Sequence, residues 1–203
     1  MTPSIPLRCT CGLVQGEILD SSRPASGNHL VCYCDDCQAF VAFLGREDVL
    51  DAQGGTPIFQ TTPSQVRFTS GEEHIRSLRL SDKGMVRWYT DCCRTPIGNI
   101  MPSPRSPFVG VITRFVAGDE QAKQASLGPI IRYVQGKFAI GGCPPHADNT
   151  MGAALLPRLL WFLGGSLLKG KHKPSPFLKA GTEEWLSEPQ VLTPAERAGL
   201  ARG

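Results

Sequence analysis

The chain has 203 residues, 41% of them hydrophobic and 19% charged, with a net charge of +3 and eight cysteines. That is enough apolar sequence for one sizeable core, and too ordinary a composition for a disordered or fibrous chain. With so small a positive charge and no basic stripe or recognisable binding motif, nucleic acid is not an expected partner.

The opening stretch, MTPSIPLRCTCG, has no basic segment followed by an apolar one, so a cytoplasmic address is expected. In a reducing compartment ordinary thiols stay unpaired, and a cysteine-rich chain there points to metal binding or catalysis. Cys9 and Cys11 come first, in CTCG. From Gly12 to about Gly142 short β-prone runs alternate with turn signals, which predicts a mainly β domain. Within it, VCYCDDCQAF carries Cys32, Cys34 and Cys37, and CQAFVAFLGREDVLD is compatible with a helical turn or two.

SLRLSDKGMVRWYT reads as a hairpin, with Ser81, Asp82 and Gly84 shaping a type I turn. Its second strand runs directly into Cys92 and Cys93. PFVGVITRFV and PIIRYVQGKFAI are nearly continuous apolar runs, predicted to be strands buried on both faces, and Trp88 and Phe108 are expected in the core.

Near GGCPPHADNT the pattern changes, dividing the chain into a β domain over 1–145 and a C-terminal helical extension over 146–203. Met151, Leu155, Leu156, Leu159, Leu160, Leu163, Leu167 and Leu168 fall mostly at helical spacing, and Pro157 suits a first turn, so a helix is predicted over about 157–169. The apolar run from Gly152 to Leu168 is broken by Pro157, Arg158 and glycines and is too short to span a bilayer, so no transmembrane segment is expected. The helix is expected to pack on the β domain. The tail is basic, then acidic, through Glu183, Glu184 and Glu188.

Zinc favours soft thiolates in a tetrahedron, and C-x-C and C-x-x-C spacings let neighbouring sulfurs converge on one ion. Cys9, Cys11, Cys32, Cys34, Cys37, Cys92 and Cys93 make seven candidate ligands, which divide into a closed set of four and a set of three with a vacancy. A vacancy is what a catalytic metal needs. The bland alternatives are an inert knuckle at the triplet, completed from elsewhere, and a buried free thiol at Cys92.

In this order, C-x-C-G, then C-x-C-x-x-C about twenty residues later, then a strand ending in cysteine before Thr-Pro, the motifs resemble the glutathione-dependent formaldehyde-activating enzyme family, or CENP-V/GFA domain. The resemblance covers roughly residues 7–116. It implies an Mss4-like zinc-binding β fold with one structural and one catalytic Zn2+, and carbon–sulfur lyase chemistry on the adduct of glutathione and formaldehyde. Cys9 and Cys11 match the family's first structural pair, and Cys32, Cys34 and Cys37 match its catalytic triplet. The last structural pair departs from the pattern: in TDCCRTP, Thr90 stands where the first cysteine belongs, Cys93 takes the second place and Arg94 replaces a glycine. Cys92, Cys143 and His146 are open as the fourth ligand, and Tyr33 stands where the family tends to have histidine.

Tyr33, Asp35 and Asp36 lie within the cluster and are candidates for proton transfer. The function expected is that of a zinc enzyme acting on a small thiol adduct such as that of glutathione. The rival is a non-catalytic zinc-stabilised module whose basic tail contacts a protein or a membrane surface.

Overall fold

In the computed structural model, which describes residues 4–19, 28–150 and 155–200, the chain is mainly β, with two sheets and a few short helices. Strands β1 (Ile5–Arg8), β2 (Gln15–Ile18) and β5 (Val66–Ser70) form a small antiparallel sheet in that order. The large sheet contains β3 (Asn28–Cys32), β4 (Thr56–Thr61), β6 (Ile75–Arg79), β7 (Val86–Thr90), β8 (Pro96–Ile100), β9 (Val109–Ile112), β10 (Arg132–Val134) and β11 (Gln190–Val191). Its order is β10-β3-β4-β9-β8-β7-β6-β11, antiparallel except for the two edge pairs.

The central strands are buried on both faces because side chains alternate across a strand and each face meets a separate apolar cluster. Phe59, Trp88 and Val111 enter the cluster shared with the small sheet, alongside Ile5, Leu7, Val66 and Phe115. Ile58, Tyr89 and Ile112 enter the opposite cluster, beneath helix α1 (Asp35–Leu44), with Phe40, Val41 and Leu44. The continuous apolar run of PFVGVITRFV is thus accounted for: β9 is buried throughout. The SDKG hairpin is also present, with β6 and β7 antiparallel and the Gly84 amide donating to the Ser81 carbonyl at 3.1 Å.

PIIRYVQGKFAI behaves differently from its pattern. Only Arg132–Val134 is strand, it pairs with β3 alone at the sheet edge, and Ile130, Ile131, Phe138 and Ile140 are exposed. Gln135 takes φ 63, a left-handed conformation that ends the strand before a second face can be covered. The segment after the cysteine cluster is more helical than a turn or two. Helix α1 runs for ten residues, with the Cys34 sulfur accepting from the Cys37 amide at its start and Gly45 in the left-handed region closing it.

After α2 (Glu120–Leu127) and β10, the chain forms α3 (Leu155–Leu168) and α4 (Pro194–Gly199), while Met151 lies outside the described residues. What packs the C-terminal region onto the β sheets is less α3 than Phe177, fully buried with its ring centroid 5.2 Å from Trp88 and 5.5 Å from Phe68. Strand β11 then adds to the edge of β6, and Leu192 joins the core under α1. Phe177→Ala should therefore cost about 3–5 kcal/mol, the usual cost of deleting a buried phenyl ring. Urea denaturation checks it, and a loss within a few tenths of a kcal/mol of zero would mean that Phe177 is not a core anchor.

Candidate metal centres

The seven candidate ligands gather into two sulfur groups, Cys9 with Cys11, Cys92 and Cys93, and Cys32 with Cys34 and Cys37; within each, all sulfurs lie within 4.8 Å of one another. In the first, Cys9–Cys11, Cys11–Cys92, Cys92–Cys93 and Cys9–Cys92 are separated by 3.5, 3.4, 3.8 and 4.0 Å. A tetrahedron with zinc–sulfur bonds of about 2.3 Å has edges of about 3.8 Å, so this donor set fits a thiolate-bound metal.

The local backbone explains the convergence. Cys9 sits in a tight turn in which the Gly12 amide donates to the Cys9 carbonyl and the Val14 amide to the Cys9 sulfur, with Gly12 at φ 84. At the other side, Asp91–Cys93 form a turn and Arg94 follows at φ 53, so the adjacent Cys92 and Cys93 need not point to opposite faces as on a strand. That conformation is unusual for a side chain with Cβ. Arg94 is held in it by hydrogen bonds from its guanidinium to the Phe43 and Leu44 carbonyls and by stacking on Phe43. Cys92 thus completes the group. Cys143 is exposed and turned toward the Pro144 and Ala147 carbonyls, and His146 packs on Tyr133, so neither belongs to it. Thr90 serves as a hydroxyl beside Cys93, at 3.4 Å, and Thr95 lies 3.1 Å from the same sulfur. Burial pushes the Cys93 thiol up, but hydrogen bonds from these two hydroxyls and from Cys11 together bring it down to about 5, whereas burial pushes Cys92 up to about 12.

The second group is assembled where β3 ends and α1 begins. Cys34 caps the helix and Cys37 lies in its first turn, with their sulfurs 3.1 Å apart. Cys37 is held well below the usual thiol range by hydrogen bonds from Cys32 and Cys34, helped by Arg87, while hydrogen bonds with Cys34 and Cys37 and burial raise Cys32.

Arg87 and Asn99 were not legible as site residues. Arg87 is only 2% exposed, on β7, opposite the face that carries Trp88. Its guanidinium donates to Asn99 Oδ1 at 3.1 Å, reaches Asp36 at 3.4 Å and lies beside Cys34 and Cys37. A divalent ion with three thiolates carries one net negative charge, and burying it next to a buried cation offsets much of the desolvation cost of both. The one signal in the sequence is a charged residue inside the apolar run VRWY. Arg46 stands in a similar relation to the first group, donating to the Cys93 carbonyl and to the Thr10 and Thr95 hydroxyls.

Beside the three-cysteine group is a cavity of about 270 Å³, bordered by its three sulfurs, Arg87, Asn99, Gln60 and an apolar wall that includes Leu30, Phe108 and Val134. Phe108 is consequently a half-buried wall residue and not core. Asp35 and Asp36 stand at its edge and both accept from Arg197 of α4, at 3.3 and 3.1 Å. Tyr33 does not reach it: buried against Asp51 and Gly55, its hydroxyl is pushed up to about 12 by burial and by Asp51.

A model of a family of unknown function, DUF6151, matches residues 1–185. The chain belongs to the DUF6151 family. The matched residues take in both cysteine groups and end before β11 and Arg197. No curated protein matches the chain. Among solved structures, the crystal structure of a Rhodobacter sphaeroides protein is similar with a TM-score of 0.41 and 17% identity, over 62% of this chain and 97% of that one.

Two metal ions per chain are expected in protein purified without added metal, counted by atomic emission. Cys34→Ser should remove one and leave the fold intact; Cys93→Ser should remove the other and lower thermal stability, since metal binding at a closed site stabilises the folded chain. Arg87→Met should weaken the three-cysteine site by roughly 10–100-fold in a chelator competition, in line with the loss of an outer-shell partner, without moving the four-cysteine site.

Proposed function

We propose that the four-cysteine group is a structural zinc site and the three-cysteine group the working centre of an Mss4-like, GFA-type enzyme: a carbon–sulfur lyase or relative acting on a small thiol adduct, glutathione-like in character. The observation that carries this is the asymmetry between the groups. Four sulfurs close a tetrahedron by themselves; the other three border a cavity large enough for a small molecule. The order of CTCG, CYCDDC and DCCRTP supports the same assignment through its resemblance to the CENP-V/GFA domain.

Cys32, Cys34 and Cys37 would hold zinc, which supplies Lewis acidity at its remaining position to a sulfur or oxygen of the substrate. The rest of the work falls to the chain's own residues. Arg87 balances the charge of the thiolates and borders the same cavity, so it would be at hand for negative charge developing on an adduct oxygen. Asn99 has its amide oxygen occupied by Arg87, which leaves its amide hydrogens to offer to a ligand. Leu30, Ile58, Phe108 and Val134 line the wall with apolar surface that keeps bulk water from the reacting atoms. Asp35 and Asp36 are both engaged by Arg197, and Arg87 reaches Asp36, so these carboxylates set the local field at the edge of the cavity.

The test replaces zinc by cobalt and follows its thiolate absorption. Millimolar glutathione should shift the spectrum of the full chain and not that of Cys34→Ser, and the loaded protein should speed formation of the adduct from glutathione and formaldehyde. If glutathione leaves the spectrum unmoved and the rate unchanged, the three-cysteine group is a structural knuckle and the enzyme reading falls.

A further inference from the structure

Helix α3 leaves a row of apolar side chains exposed. Leu160, Trp161, Leu167 and Leu168 are 61, 83, 51 and 91% exposed, while Ser166 is buried. Positions 160, 161, 164, 167 and 168 recur at helical spacing, so these side chains share one face instead of being scattered. A helix of a water-soluble surface normally presents the reverse arrangement, and so wide an exposed apolar face marks a contact surface.

The charge around this face identifies its occupant. From residue 158 to residue 179 there are five lysines and arginines and no acid. Lys173 and Lys179 are answered by Glu183 and Glu184, whereas Lys169 and Lys171, at the C-terminal end of α3, have no acidic partner among the described residues. Apolar side chains with a tryptophan on one face and lysines at the flank are what an interfacial helix uses, the aromatic ring at headgroup depth and the lysines against anionic headgroups. Fourteen residues give a helix of about 21 Å, shorter than a hydrocarbon core of about 30 Å, and no helix among the described residues is long and apolar enough to cross a membrane. We propose that α3 is an interfacial helix that docks the protein on an anionic lipid surface, through Leu160, Trp161, Leu167 and Leu168 with Lys169 and Lys171 beside them. Docking of this kind does not depend on the chemistry at the cysteine groups.

The experiment uses the full, metal-loaded chain and vesicles of phosphatidylcholine with or without phosphatidylserine. Binding in sedimentation should require phosphatidylserine, weaken as salt rises, and fall by roughly fivefold for each of Lys169→Gln and Lys171→Gln. The triple change Leu160→Ser, Trp161→Ser, Leu168→Ser should reduce binding by more than about tenfold, given the apolar area removed. A blue shift of tryptophan emission on vesicle addition should vanish in Trp161→Phe, which separates it from Trp88 and Trp185. An unchanged cobalt–thiolate spectrum reports that each variant is folded. The proposal is overturned if phosphatidylserine vesicles do not bind, if binding is indifferent to the triple change, or if the chain self-associates without lipid and the triple change abolishes that association.

Discussion

Both sulfur groups depend on one constraint, the two-sided burial of β7. Val86 and Trp88 are fixed in the cluster between the sheets, so period-two alternation sends Arg87 into the opposite, equally dry layer under α1. A lone guanidinium there would be prohibitive; thiolates, Asp36 and Asn99 make it tolerable. The same strand ends in Thr90 and hands the chain to the turn that carries Cys92 and Cys93. A change that slipped the register of β7 by one residue would displace the counter-charge of one group and the ligands of the other together.

The two groups differ in how they are enclosed. Cys9 is part of the core between the sheets, with Cys92 and Cys93 packed on it, and its group gathers sulfurs far apart in sequence. Such a site ties the small sheet to the end of β7 and favours a stabilising role. Cys32 and Cys37 belong to the α1 cluster, their group is local in sequence, and one side of it gives onto the cavity. Locality means that little of the fold would be lost with the metal, and the open side gives a ligand somewhere to sit.

The C-terminal region contributes in two opposite senses. Phe177, Leu192 and β11 are structural, and Arg197 reaches the acids beside the three-cysteine group from a helix beyond the residues matched by the family. Helix α3, which precedes these anchors, leaves an apolar face exposed. A segment anchored after its helix while the helix itself faces out is suited to presenting a surface to something else.

By itself the sequence determined the β character, the SDKG hairpin and the seven cysteines that cluster, because residue alternation, turn chemistry and short ligand spacings are local properties. It offered Cys92 as a ligand but left Cys143 and His146 open beside it as the fourth donor, since only the turn at Asp91–Cys93, stabilised by Arg94 on Phe43, decides which reaches the other sulfurs. It also overrated PIIRYVQGKFAI, whose apolar run lies at a sheet edge, and it marked Arg87 only as a charge inside the apolar run VRWY, with no sign of what that charge would meet. Those were decided by tertiary structure, because burial and counter-charge depend on strand neighbours that are distant along the chain.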